Sequence, residues 1–137
     1  MKLALVLAPL ALVTALATFA GLGAAAPAES SAAPYGAYTV RLGNHDPDVP
    51  TGVWRLTLRR GRYTLLSDAA PIMNRGRLSV SGDVLTFTRE TLCPSAAGRY
   101  RFRLTGGKLR FRVIGSDPCS GNDRTVVLTT KPWTKRS

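Results

Sequence analysis

The residues with the clearest chemical potential are arginines that recur at every second position. Arg99, Arg101 and Arg103 alternate with aromatic and aliphatic residues in one segment, and Arg110 and Arg112 do so in the next. A guanidinium group binds phosphate, sulfate or carboxylate oxygens through paired hydrogen bonds. We therefore predict an anion-binding face formed by Arg101, Arg103, Arg110 and Arg112. The alternative is an outer face whose arginine heads extend into water while their stems cover the sheet.

The charge of the whole chain is consistent with an anionic partner. The formal net charge is +11, and arginine supplies most of the excess. Such an excess favours an anionic polymer or a cell-surface component as a partner. Nucleic acid is not favoured as a partner. Tyr100, Phe102 and Phe111 alternate with the arginines and should therefore point to the opposite, inner face of the sheet. No ring is then left on the outer face to stack on bases.

Enzymatic chemistry finds little support in the residue types. His45, between Asn44 and Asp46, is the only histidine. The chain carries no nucleophile elbow, no phosphate loop and no metal-ligand spacing. Its acidic residues are scattered, with no two obviously placed for glycoside hydrolysis. We therefore expect a protein that is not an enzyme, with no catalytic residue, no cofactor and no metal.

Two cysteines, Cys93 and Cys119, are predicted to form a disulfide. An exported chain with an even number of cysteines favours this interpretation. The closed loop of about 25 residues is worth roughly 3 kcal/mol in the chain-entropy model. A metal site would need more ligands than two cysteines and one distant histidine.

The first residues have the pattern of a secretory signal peptide. Met1-Lys2 gives a positive start, an apolar run follows, and Gly23 to Ala28 offers small residues for cleavage. We predict a signal peptide over residues 1–28, a flexible leader over 29–37 and a single β-barrel domain over 38–137. The protein is then secreted and extracellular, without a membrane span after cleavage, and we expect a monomer. The alternative is a retained anchor, since the apolar run is about long enough to cross a bilayer.

Alternation with period two dominates the chain from Gly52 onward, and this is typical of strands with one buried face. Two-residue turns at Arg60-Gly61, Gly82-Asp83 and Gly106-Gly107 would define three hairpins. Each hairpin then places apolar residues opposite each other on the same face. The predicted pairs are Leu58 with Tyr63, Leu56 with Leu65, Val80 with Leu85, Leu78 with Phe87, Leu104 with Leu109, Phe102 with Phe111 and Tyr100 with Val113.

The fold class that follows is all-β, an up-and-down antiparallel meander of seven to eight strands that closes as a barrel. A short strand is expected at Tyr38 to Leu42 and a last strand at Arg124 to Thr130, where Val126 and Leu128 would face inward. No segment has convincing helical periodicity. In a meander the loops that carry Cys93 and Cys119 lie at the same end of the sheet, so the bridge is feasible.

These motifs resemble those of the lipocalin or calycin family. Gly52-Val53-Trp54 opens the first main strand, and Arg124 is expected to open the last. Over about Gly52 to Trp133 the chain is also similar to small lipocalin-like secreted proteins of actinobacteria, with LTFT at residues 85–88, GRY at 98–100 and a cysteine before each of two strands. The resemblance implies that Trp54 packs across the closed end of a lipocalin-like barrel under Arg124. An indole and a guanidinium attract each other by roughly 0.5 to 2 kcal/mol.

Two functions are predicted from these patterns. The resemblance implies a secreted binding protein that captures a small apolar or amphipathic ligand inside the barrel. A barrel of this size either fills its interior with side chains or holds one small ligand. The ligand contacts would be Leu56, Leu58, Tyr63, Leu78, Phe87, Phe102 and Phe111. The second function is an interaction module whose arginine face binds an anionic polymer, surface or partner protein.

Overall fold

Eight antiparallel strands close into a barrel in the computed structural model, which describes residues 32–44, 47–69, 73–119 and 123–137. The elements in chain order are β1 (Gly36–Leu42), β2 (Gly52–Arg59), β3 (Arg62–Ser67), β4 (Met73–Ser81), β5 (Val84–Thr88), β6 (Gly98–Thr105), β7 (Lys108–Val113), α1 (Asp123–Thr129) and β8 (Trp133–Lys135). Each strand pairs with the next, and β8 returns to β1. The predicted all-β meander is confirmed. The predicted signal peptide and His45 lie outside the described residues.

Glycine turns set the register of the three predicted hairpins. Gly61, Gly82, Gly106 and Gly107 have φ of 75°, 57°, 55° and 72°, which glycine adopts without steric cost. The seven apolar cross-strand pairs expected from the sequence are all present. A slip of one residue would have moved each apolar set to the outside. The turns and the alternation therefore specify the same register.

The barrel closes through a short last strand. β8 pairs with β1 through Tyr38–Lys135 and Thr39–Thr134, and with β7 through Lys108–Thr134 and Leu109–Trp133. β1 begins at Gly36, two residues before the predicted start of the domain at residue 38. Pro34 is buried, and its carbonyl accepts a hydrogen bond of 3.0 Å from the Tyr38 hydroxyl. The barrel thus includes residues that the sequence had assigned to the leader.

The predicted last strand over Arg124 to Thr130 is wrong, because Asp123–Thr129 form the helix α1. The Thr-Val-Val run has high β propensity, but propensity is a weak prior that tertiary packing overrides. Arg124, Val127 and Leu128 are buried at i, i+3 and i+4, which is the spacing of one helix face. The closing strand lies further along the chain, at Trp133–Lys135. The prediction that no segment is helical is corrected by the same observation.

Large side chains fill the interior. Seven of them have a relative exposure of 0%: Tyr38, Leu56, Leu85, Phe87, Tyr100, Leu109 and Trp133. The rings of Tyr63, Tyr100 and Phe111 pack around Phe87 in edge-to-face geometry, with centroids 4.8, 5.6 and 6.3 Å from it. These side chains therefore belong to one packed hydrophobic core.

The two ends of the barrel differ. The hairpin end carries the tight turns after β2, β4 and β6, whereas the loop end carries the longer connections and α1. At the loop end the disulfide Cys93–Cys119 is present, with its Cα atoms 5.4 Å apart, so that prediction is confirmed. Among the residues described, no helix has the length and apolar character needed to cross a membrane.

Candidate functional site

A buried charge cluster lies at the loop end and consists of Arg124, Glu90, Asp117, Tyr63 and Tyr100. Arg124 projects from α1, and the side chains of Arg124, Glu90 and Asp117 are 2%, 1% and 0% exposed. Its guanidinium binds Asp117 with two hydrogen bonds, from Nε at 2.6 Å and from Nη2 at 2.7 Å. Nη1 donates to Glu90 at 2.9 Å. Charged side chains buried to this degree are strongly destabilising unless they are paired, as these three are.

A β-bulge turns Glu90 into the barrel. Arg77 pairs with Thr88, yet Arg75 accepts a hydrogen bond from the backbone N–H of Thr91, so β5 and its continuation hold one extra residue. Arg89 takes a φ of 50° at this point, in the left-handed region that few residues other than glycine adopt. The bulge reverses the alternation, so that Arg89 faces solvent and Glu90 is buried.

Two tyrosine hydroxyls complete the buried charge cluster. Tyr63 donates a hydrogen bond to Glu90, and Tyr100 donates one to Asp117. Tyr63 also accepts a bond of 3.4 Å from Arg124. Both tyrosines point inward from their strands, and a buried hydroxyl of this kind needs a polar partner. The carboxylates therefore have donors from both the helix and the barrel wall.

The pKa values follow from this geometry. Burial raises the pKa of both tyrosines above the ordinary range, and their hydrogen bonds to the carboxylates add to that effect. Burial would also raise the pKa of Asp117, but hydrogen bonds from Arg124, Tyr100 and the N–H of Cys119 outweigh it and hold the pKa below its usual value. Burial alone would lower the pKa of Arg124, while its bonds to Asp117 and Glu90 raise it. The pairing thus holds Asp117 and Arg124 in their charged forms.

The charged side chains of the buried charge cluster pair with one another. The guanidinium nitrogens of Arg124 and both carboxylate oxygens of Asp117 have hydrogen-bond partners within the protein, and Oε2 of Glu90 accepts bonds from Arg124 and Tyr63. The three charged side chains are closed off from solvent. Glu90 and the two disulfide sulfurs lie within 4.8 Å of one another. Those sulfurs are joined to each other and offer no thiolate, so this group does not make a metal site. The cluster fixes α1 against the end of the barrel.

Trp54 and Arg124 line one small cavity at the loop end, of about 60 Å³. The indole N–H of Trp54 donates to the carbonyl of Pro50 at 3.0 Å. The guanidinium of Arg124 lies 6.0 Å from the ring centroid of Phe87. Arg124 reaches this position from a helix, not from the expected last strand. Both residues thus lie at the loop end, and the implied packing of Trp54 under Arg124 across a closed end stays a prediction.

The predicted anion face forms an arginine ladder on the outside of β6 and β7. Arg101 pairs directly with Arg112, and Arg103 with Arg110. Like charges in directly opposed positions destabilise a sheet. Asp83 binds Arg101 at 3.1 Å, but these side chains are 47% and 63% exposed, so the ion pair contributes little. The ladder is therefore an exposed cationic surface, as the register predicted.

A second set of arginines, of which the sequence had indicated only Arg62, lines a shallow groove of about 510 Å³ across β3 and β4. This arginine groove consists of Arg62, Arg75, Arg77 and Arg89, with the backbone of Gly76 between them. Arg62 pairs directly with Arg77 and, on its other side, with Arg59. The sequence indicated this region only through the opposition of Arg59 and Arg62 at the first turn. The bulge that brings Arg89 to the groove cannot be recognised from the alternation of apolar and polar residues in the sequence.

The seven predicted ligand contacts point into the barrel, as expected from their parity. Each has a relative exposure of 7% or less. Phe87 lies at the centre of the ring cluster, and Leu58 contributes to a depression on the outside near the hairpin end. The structure thus brings these residues together as packed core. Whether a ligand can enter among them stays a prediction.

Comparison with known proteins provides no relative for this chain. No family model matches it, and neither a curated protein nor a solved structure does. Function is therefore argued from the chemistry of the surfaces described above.

Proposed function

We propose that this protein is a secreted binding module whose arginine-covered barrel wall binds an anionic polymer or an anionic surface. The observation that carries the proposal is the direct opposition of arginines on two parts of the wall. Arg62 faces Arg77, and Arg103 faces Arg110. Directly opposed like charges repel each other and destabilise the isolated protein. A bound polyanion would place negative charge between the arginines and replace this repulsion by attraction.

The balance of exposed charge supports the same proposal. Within the described residues every lysine and arginine except Arg124 is exposed. The acidic side chains described outside the buried charge cluster are Asp48, Asp68 and Asp83. Such a surface attracts polyanions over about a Debye length and releases their counterions on binding. Arginine, rather than lysine, adds paired hydrogen bonds to phosphate or sulfate oxygens.

Capture of an apolar ligand inside the barrel has weaker support. A lipocalin-like function would require interior space, which for small-molecule sites is typically about 300 to 1,000 Å³. The central side chains instead have relative exposures of 0%. The kinship with lipocalins, and with actinobacterial members in particular, therefore stays a proposal that rests on the Gly-x-Trp motif and the shared barrel.

Secretion is part of the proposal and has its own support. The apolar run with its small-residue exit precedes the barrel, and the Cys93–Cys119 bridge suits an oxidising compartment. The mass of the exported protein tests it. Loss of a segment that ends near Ala26 or Ala28 is expected, whereas a full-length chain that stays with the membrane would contradict it.

Retention on heparin tests the polyanion function. The variant R62Q/R77Q/R103Q/R110Q removes one directly opposed arginine pair from each part of the wall, and it should elute at a clearly lower salt concentration than the wild type. The matched control replaces the same four residues by lysine, which keeps the charge and should keep most of the retention. If the glutamine variant elutes with the wild type, the proposed function is wrong.

A further inference from the structure

We propose that the arginine groove is the principal binding site of this protein and that its ligand is polyphosphate, an unbranched chain of phosphate groups without sugars or bases. This inference rests on the proposed function and assigns the site and the class of polymer. Of the four groove arginines, the sequence had indicated only Arg62, through its opposition to Arg59. Three features support the assignment: the close spacing of its arginines, the lack of carboxylates bound to them, and a lining without aromatic or aliphatic side chains.

The sheet concentrates guanidinium groups in this region. Arg59, Arg62 and Arg77 form a row across β2, β3 and β4, because each is directly opposite the next. Neighbouring strands lie about 4.8 Å apart, and Arg75 and Arg77 are separated by about 6.8 Å along β4. All of these spacings are shorter than the Debye length of about 8 Å at physiological salt. Their fields therefore add up over the groove.

The bulge supplies Arg89, the fourth arginine of the groove. Without the extra residue after β5, the alternation would point Arg89 into the barrel and leave the edge of the groove uncharged. The left-handed conformation at Arg89 directs the side chain outward, next to Gly76. Bulges commonly redirect a side chain in this way beside functional sites. The backbone irregularity thus completes a concave cationic surface.

The groove arginines lack strong partners within the protein. Among the residues that the structure describes, the side chains of Arg62, Arg77 and Arg89 form no hydrogen bond or ion pair. Arg75 reaches only the sulfur of Met73, at 2.8 and 3.1 Å, and a thioether is a weak acceptor. On the ladder, Arg101 forms an exposed ion pair with Asp83, whereas the side chains of Arg103 and Arg110 have no partner among the described residues. An incoming anion would therefore meet no bound carboxylate in the groove and one weakly bound carboxylate, that of Asp83, on the ladder.

The lining of the groove selects among polyanions. Its walls are four arginine side chains and one glycine, with no aromatic or aliphatic side chain. Nucleic acids gain affinity when their bases stack on aromatic rings, and the groove has none to offer. A glycan would likewise find no apolar partner for its sugar faces. In polyphosphate every repeating unit is itself an anion that can accept paired hydrogen bonds from arginine.

Two variants with equal loss of charge test the assignment. R62Q/R77Q removes a directly opposed pair from the groove, and R103Q/R110Q removes one from the ladder. Binding of end-labelled polyphosphate is measured by fluorescence anisotropy at several salt concentrations. We expect the groove variant to lose about tenfold in affinity and to show a shallower salt dependence, while the ladder variant loses less than about threefold. Thermal unfolding of both variants verifies that they are folded.

The outcomes separate this inference from the proposed function. Equal losses in the two variants would mean that net charge alone binds the polymer, which overturns the groove assignment and leaves the proposed function standing. No loss in either variant, together with unchanged heparin retention, would overturn both. A heparin fragment or a single-stranded oligonucleotide of equal charge that binds more tightly than polyphosphate, with the same dependence on Arg62 and Arg77, would overturn the choice of polymer.

Discussion

Replacement of Arg124 by methionine is the most severe test of the buried charge cluster. Methionine keeps much of the length and the apolar stem but removes three hydrogen bonds to Asp117 and Glu90. Removing one partner of a buried ion pair typically costs 3–5 kcal/mol, because the remaining charge is left without compensation. Here one substitution leaves two buried carboxylates without their guanidinium. We therefore expect R124M to lower the free energy of unfolding by about 4–5 kcal/mol near neutral pH.

The pH dependence of this loss gives a second readout. In the wild type the pKa of Asp117 is lowered, so its contribution to stability is fully present above the unfolded pKa of 3.8 and disappears as the pH falls further. Without Arg124, burial favours the protonated carboxyl group, and acid relieves the penalty. The difference between R124M and wild type should therefore shrink as the pH is lowered from about 7 towards about 4.

Urea unfolding of the oxidised protein measures both effects. R103M is the matched control, since it removes an exposed arginine that has no described partner, and it should stay within about 0.5 kcal/mol of wild type. If R124M does not fold, the triple variant R124M/E90Q/D117N should restore part of the stability, because no charge is then left buried. An R124M variant within about 1 kcal/mol of wild type would refute the reasoning.

Two further substitutions test the backbone around the same cluster. A Cβ added at Gly98 would lie 2.7 Å from Nη2 of Arg124 and would also collide with the carboxylate of Asp117. G98A should therefore lower the free energy of unfolding by about 3 kcal/mol in urea, and an unchanged midpoint would contradict the described packing. Arg89 has a φ of 50°, so R89G should raise the thermal midpoint by up to the equivalent of about 1 kcal/mol. R60G, at a residue without positive φ, should lower the midpoint, and the same response from both variants would argue against strain at Arg89.

The sequence predicts the barrel wall well, because its determinants are local. A glycine turn fixes which residues face each other, and alternation fixes which of them point inward. Leu104 and Leu109 illustrate this, since the Gly106-Gly107 turn places them opposite each other and both lie on the inner face. The arginine ladder follows by the same logic, as the other parity of the same two strands.

The loop end could not be predicted in the same way. Arg124 to Thr130 has the residue types of a strand. The helix is recognised only from the burial of Arg124, Val127 and Leu128 on one of its faces, which requires the structure. Glu90 and Asp117 lie in irregular segments, where no periodicity indicates burial. The inward parity of Tyr63 and Tyr100 was the one available sign, because two buried hydroxyls require polar partners that the strands themselves do not provide.

Closure of the barrel by β8 has a consequence for how the protein folds. The strand has three residues, and it joins the earliest strand, β1, to one of the latest, β7. The first seven strands can each form a hairpin with a neighbour in sequence. The pairing of β8 with β1, here called the seam, instead requires residues about 100 positions apart to meet, which is slow for entropic reasons. Once formed, the seam rests on few backbone pairs, so its amide protons should exchange with solvent sooner than those of the central hairpins.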